Sequence, residues 1–423
     1  MQNSTFQVIV LSVFGFFIVA GLVALALFKG GGGATDIPVV VWGTVPASSF
    51  QSLLPDESDN KAQKVEYVEK SEDTFDQNLI EALASGKGPD AFLLPQDMIL
   101  RYRDKIYPIS YESLSERDFK DTFIQEAELY LFPEGIMAMP FSVDPLVMYW
   151  NRDLFANAGL SSHPKYWDEF LTLPDVLTVK DGSQNISKSA VALGEFGNIA
   201  NAKEIISIML IQAGNPIVRN EGAGMRSSLS GDLSGAGGAV DFYTSFGSPL
   251  KTVYSWNRGM TDSKKAFING DLAVYFGFAS EMGDIASKSP YLNFDVAYFP
   301  EVRDAKTKIT FGKMQGVAIS KATKNFEGAW DALVLLSGEG AVKKWVNATN
   351  LPPVRRDLIF GTPSDANLTI FYNSALRARG WLDPNKKETG IIFRDMIESI
   401  TSGRMKTSEA LSRAGREIDE LLQ

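Results

Sequence analysis

The chain contains no cysteine and a single histidine, His163, among 423 residues. The first absence excludes disulfides, Cys-ligated zinc, iron–sulfur clusters, a thiol nucleophile and a lipid-modified cysteine tether, so any tether must be peptide. The second leaves little room for a histidine metal site, or for Ser-His-Asp chemistry unless His163 is the base, and "SSHPKYWDEF" reads as a polar loop before a helix. Basic clusters are also missing. With 41 Lys+Arg against 51 Asp+Glu the net charge is -10, and no aromatic-basic stripe could follow a phosphate backbone, which argues against nucleic acid as a partner. The "GAGGA" stretch within "NEGAGMRSSLSGDLSGAGGAVDFYTSF" follows no apolar strand and precedes no Lys-Ser/Thr pair, so both phosphate-binding fingerprints fail and the segment reads as a loop. No short-period repeat marks a solenoid.

What is present is an ordinary folded composition, 45% hydrophobic and 22% charged, long enough for two or three domains. The one long apolar run, residues 8–28, "VIVLSVFGFFIVAGLVALALF", carries no charge and matches the roughly 20 residues that cross a hydrocarbon core. It is longer than a signal-peptide core and lacks a basic start, so an uncleaved anchor is expected; Ala24-Leu25-Ala26 offers a cleavage site as the alternative. "KGGGGATD" follows as a flexible tether.

The valine-rich "IPVVVWGT" reads as a strand buried on both faces. "KVEYVEK" is a second strand. Ser71 then caps a helix on which Phe75, Leu79 and Leu83 recur every four residues, "SGKGPD" stops it, and "AFLL" is a third strand: an α/β order that favours parallel pairing. Further on, "KDGSQ" turns between two strands, "IANAKEIISIMLIQAG" is helical until Gly214, and "FINGDLAVYFG" runs from a helix end through a turn into a strand. From about Phe326 the pattern is mainly helical. In the middle, "MPFSVDPLVMYWNRDLFANAGL" places one carboxylate, Asp144, inside an apolar strand, where the residue is either incidental or faces a ligand.

In order and spacing these landmarks resemble the extracellular solute-binding proteins of bacterial ABC importers, in the group that contains maltose-binding protein. The resemblance covers nearly everything after the tether. It is carried by "VVVWGT", by "GKGPDAFLLPQD", by "PEGIMAMPFSVDPLVMYWNRDLFANAGL" followed by "YWDEF", by "FINGDLAVYFG", and by "ATNLPPVRRD" and "SGRMKTSEAL". It implies an α/β, two-lobe periplasmic-binding-protein-like (type II) fold with a central ligand cleft and hinge crossings, here preceded by an N-terminal transmembrane helix. The expected division is 1–35 for anchor and tether, 36–143 plus about 270–318 for lobe 1, and 144–269 plus about 319–423 for lobe 2. Crossing near Ser142 to Asp144 would put Asp144 on the cleft wall, and by analogy it accepts hydrogen bonds from sugar hydroxyls.

A sugar needs planar polar partners and aromatic faces. The expected ligand-binding residues are Trp42, Thr44, Asp97, Asp144, Trp256, Phe278, Glu281, Trp381 and Asp383, with Asn385 a further candidate; Trp330 and Trp345, at helical spacing, are assigned to packing. Two departures argue against assuming maltose itself: Leu94 stands where the family has an aromatic, and "TVPAS" replaces polar cleft residues. Tyr166 also replaces a usual threonine. The implied function is a monomeric receptor, tethered outside the cell, that delivers a small solute, expected to be a carbohydrate, to ABC transporter permease subunits without catalysis, cofactor or metal. The rivals are an exported glycoside hydrolase, which would need two carboxyl groups with split pKa values, and a ligand-sensing subunit of a signalling system.

Overall fold

A computed structural model describes residues 38–54, 64–221, 224–229, 234–359, 361, 363 and 365–423. The apolar run 8–28 and its tether lie outside the described residues. Among the described residues no helix is long and apolar enough to cross a membrane.

The three strands and the helix expected near the start of the domain are present, with a further short helix, Ala47–Gln51, between the first two strands that the pattern does not predict. Val39–Gly43 pairs in parallel with both Val65–Glu69 and Ala91–Pro95, and Glu72–Ala84 is the intervening helix. Val39, Val41 and Ala91 through Leu94 are all buried. One path of strands runs through the whole molecule, and two strands in it are long. Met139–Asn151 pairs through its first half with Thr310–Ile319, and through its second half with Leu272–Phe278 and Phe294–Ala297. Thr310–Ile319 also pairs with Ala91–Pro95.

Two hydrophobic cores sit on either side of this pair of long strands. The first gathers Val41, Phe92, Phe141, Val143, Val317, Leu333 and Trp345. The second gathers Tyr149, Ile206, Phe276, Trp256, Trp381 and Phe393. The chain therefore passes between lobes inside Met139–Asn151, where Val143 belongs to the first core and Leu146 to the second, and again inside Thr310–Ile319. The helix Ala366–Leu376 touches both cores, with Phe371 in the second and Ala375 in the first, and a third passage lies between Ala378, in the first core, and Trp381, in the second.

This changes the expected lobe boundary. Leu272–Phe278 does not return to the first lobe: all seven residues are buried between Leu146–Trp150 and the strand Ile186–Val191, both of the second lobe. The return comes at Thr310–Ile319, and much of the segment from 326 to 359 then packs in the first core, which the expected division gave to lobe 2. The glycine-rich "GAGGA" stretch also departs from the loop reading. It opens a helix, Ser234–Ser245, because Ala236, Val240 and Tyr243 recur on one face and are buried.

Candidate functional site

The two long strands form a floor between the lobes, and their register decides which side chains share it. Lys313 lies opposite Asp144, and Gln315 opposite Ser142. Alternate residues of a strand point to one face, so these four polar residues lie on the same side of the floor. The mostly apolar "TFGKMQGVAI" strand thus carries two polar residues spaced by two, a signal that sequence inspection passed over.

Asp144 is half-buried and its Oδ1 accepts one hydrogen bond, from the Ser280 backbone N–H at 3.1 Å. Burial pushes its carboxyl up to about 6, against the pull of Ser280 and the charge of Lys313. The Lys313 ammonium lies 3.9 Å from the centroid of the Phe278 ring and 3.6 Å from Glu204 Oε1. Glu204 comes from the helix Ala202–Gln212 of the second lobe. Asp144, Lys313, Phe278 and Glu204 therefore meet on the second-lobe side of the floor.

On the first-lobe side, Asp97 follows the strand Ala91–Pro95, whose last residue pairs with Gln315. Its Oδ2 lies 3.4 Å from Lys386 Nζ, while its Oδ1 is buried without a hydrogen-bond partner. Gln315 Oε1 is in the same condition. Lys386 begins the second-lobe helix Lys386–Thr401 and reaches Glu72 Oε1 as well, at 3.1 Å. Asp97 and Glu72 both belong to the first lobe, so this lysine bridges the cleft, and the two carboxylates hold its pKa above the ordinary lysine range, Asp97 most strongly.

A second buried acid marks the hinge. Glu126 is 1% exposed, and neither carboxyl oxygen has a donor in good geometry, the neighbouring Gln96 amide donating to Gly312 O at 2.7 Å. Burial pushes it up to about 8, with the charge of Arg379 and the nearby Gln96 amide opposing. A side chain at Gly380 would meet Gln96 Nε2 and Glu126 Oε1, so both side chains would have to shift to admit one.

The remaining expected residues lie elsewhere. Trp256 is completely buried in the second core, donating from Nε1 to Asn198 at 3.1 Å. Trp381 is buried too, stacked on Phe393 with ring centroids 6.2 Å apart and bonded to Ser207. Trp256 has no exposed surface and Trp381 is 6% exposed, against 2% for Phe278 at the floor. Asp383 is 2% exposed and is occupied by Lys203 and the Thr389 hydroxyl, while Asn385 caps the helix Lys386–Thr401. Glu281 accepts from the Tyr275 hydroxyl at 2.7 Å, Phe278 N at 2.8 Å and Asn201 at 3.0 Å, and pairs with Lys264, which fixes the turn beneath Phe278. Trp42 is half-buried with the Lys70 ammonium 3.8 Å from its ring, and Thr44 follows it, half-buried, at the end of the first strand. Of the nine expected residues, the structure brings Asp144 and Phe278 together at the floor and sets Asp97 beside it. Lys313, Gln315, Glu204, Glu72 and Lys386 join them. Among the described residues no group of three or more His, Asp or Glu is arranged to hold a metal ion.

Residues 42–343 match the family of bacterial extracellular solute-binding proteins, and the chain belongs to that family. A Brucella abortus (strain 2308) protein designated a binding protein is 22% identical over 96% of this chain and 98% of its own. Among solved structures, the cyclic α-maltosyl-1,6-maltose binding protein of Arthrobacter globiformis is similar with a TM-score of 0.76, at 16% identity, covering 92% of this chain and 99% of its own. An ABC transporter solute-binding protein of Thermotoga lettingae, bound with α-D-tagatose, is similar with a TM-score of 0.71, at 17% identity, covering 92% and 100%. At these identities the likeness establishes the two-lobe fold.

Proposed function

We propose that the chain captures a carbohydrate between its lobes and passes it to the permease of an ABC importer, acting as a monomer held outside the cell by residues 8–28 as a membrane anchor. The observation that carries this reading is the floor of the cleft, where Asp144, Lys313 and Gln315 stand on the two strands that join the lobes. Acceptor atoms there, Asp97 Oδ1 and Gln315 Oε1, are buried without donors. With the lobes parted, sugar hydroxyls would reach these acceptors and supply the donors, and an acceptor that gains one on closure is relieved of a desolvation cost of about 1–3 kcal/mol. The similar solved structures, one bound with α-D-tagatose and one a cyclic α-maltosyl-1,6-maltose binding protein, support the same class of solute. A ligand that touches both lobes stabilises the closed arrangement by its difference in affinity for the two states, and capture requires no bond to be made or broken.

The test is a thermal-shift and calorimetric screen of the full chain, held in a detergent without a sugar head group, against mono- and oligosaccharides, amino acids, polyamines and oxyanions. A sugar that raises the melting temperature with dose, and is recovered intact after long incubation, is the expected result. Shortened sugar after incubation would favour a hydrolase, and stabilisation only by amino acids or oxyanions would remove the carbohydrate assignment.

A further inference from the structure

The first described residue, Pro38, opens the first strand at one end of the first lobe, and an aromatic cluster occupies the same end. Helix Phe326–Ser337 lies against that strand: a side chain built at Gly328 would fall 2.8 Å from Val39 Cγ2. On the outward face of the same helix, Phe326, Trp330 and Val334 recur every four residues. Phe326 is 39% exposed and Val334 53%, and Trp330 is half-buried. Tyr107, 49% exposed, extends the patch, with its ring centroid 4.7 Å from that of Phe326, and Phe326 in turn stacks on Trp330 at 6.4 Å. Tyr107 is tied to this end by its backbone N–H, which donates to Ile319. Elsewhere the most exposed apolar residues, Leu250 at 95% and Tyr291 at 98%, lie in the second lobe and far from each other in the chain, and single exposed hydrophobics call for no partner. Contiguous exposed rings do.

We propose that this end of the first lobe rests on the lipid headgroup layer, with Tyr107, Phe326 and Trp330 as its contact. The inference depends on residues 8–28 being the anchor proposed above. About nine residues, 29–37, would then separate the hydrocarbon core from Pro38. Nine residues span at most roughly 30 Å. The end of the domain that carries the cluster is therefore the end held against the bilayer. Tyr and Trp are the side chains that settle at headgroup depth, where an apolar ring and a polar edge are both satisfied. Lys105, Lys321 and Lys324, close to the cluster in the chain, are equalled in number by Asp104, Glu327 and Asp331, so these neighbours carry no net charge that would select an anionic lipid. The rings carry the contact, and neutral phosphatidylcholine should support it.

The absence of native cysteine allows single-site labelling. Full-length chain carrying Lys324→Cys or Glu327→Cys, which flank the rings, is labelled with bimane and reconstituted in phosphatidylcholine vesicles containing a headgroup-nitroxide lipid. Leu250→Cys and Tyr291→Cys in the second lobe are the controls. The expected result is several-fold stronger quenching at 324 and 327 than at 250 and 291, falling at least twofold when Phe326→Ser and Trp330→Ser are combined. Equal quenching at all four sites in protein that floats with the vesicles overturns the surface and leaves the anchor standing. Failure to float overturns both, and solute binding by the same samples, read in parallel, is independent of either. Pyrene excimer emission from label at 324 that grows with protein density would assign the rings to a second copy instead and also overturn the proposal.

Discussion

The two walls of the cleft treat their buried acids differently. In the second lobe Asp383 and Glu281 are saturated: Asp383 by Lys203 and Thr389, Glu281 by Tyr275, Phe278, Asn201 and Lys264. In the first lobe Asp97 keeps one oxygen without a donor, and at the hinge the enclosed Glu126 has no donor in good geometry at either oxygen. A saturated carboxylate holds a fold together and has no capacity left for a solute. An unsaturated one burdens the fold and waits for a donor, which is the condition of a binding site. Position along the cleft matters less than whether the acceptor atoms are already in use.

The largest expected effect tests the saturated side. Asp383→Ala should cost about 3–5 kcal/mol in denaturant unfolding, because it strands the Lys203 ammonium in a buried site. Asp97→Ala, an acid on the opposite wall, should cost less than about 1 kcal/mol, since its Lys386 partner is half-exposed. Equal losses would break the contrast.

Next comes Glu126. In the unfolded chain it ionises near 4.5 and in the folded one near about 8, so across that window the folded state retains a proton that the unfolded state releases. Stability should therefore fall as pH rises from about 4.5 to 8. Glu126→Gln should flatten that slope and be more stable than the parent by about 1–3 kcal/mol near pH 9. An unchanged pH profile would mean the carboxyl finds a donor in solution.

Asp144→Asn probes the floor itself. It should leave the melting temperature within a few degrees and weaken solute binding by roughly 10- to 100-fold, the worth of a charge-assisted hydrogen bond. The parent's affinity should likewise weaken as pH falls through about 6, where Asp144 takes up its proton. The smallest effect belongs to the bridge across the cleft. Lys386→Met should change stability by less than about 1 kcal/mol, and salt near 1 M should reproduce the change in the parent, since the pairs with Glu72 and Asp97 are open to solvent on one side.

Much of the fold is legible in residue order. The parallel strands follow from valine-rich runs around a helix of period four, and the helix Ala202–Gln212 ends where Gly214 adopts φ +82°. What was lost was direction rather than position. Asn257 and Gly259 beside Trp256, and Pro384 beside Trp381, mark loop backbone correctly, yet both rings turn inward because their N–H groups meet Asn198 and Ser207. The lobe boundary failed for a related reason. "LAVYFGF" is apolar throughout whether it crosses between lobes or is buried on both faces within one, and only its pairing with Leu146–Trp150 tells them apart. The strand that does cross, Thr310–Ile319, announces itself through Lys313 and Gln315, whose spacing of two inside an apolar run has no use in a core.

The central claim is that the unsaturated floor and first-lobe wall are the solute site. It is tested most directly by titration calorimetry of the best solute from the screen against the full chain and against Asp97→Asn, Asp144→Asn and Trp256→Phe. The account predicts at least tenfold weaker binding for the first two and binding within about twofold for the third. Retention of full affinity by both aspartate variants, or its loss only in Trp256→Phe, would contradict it.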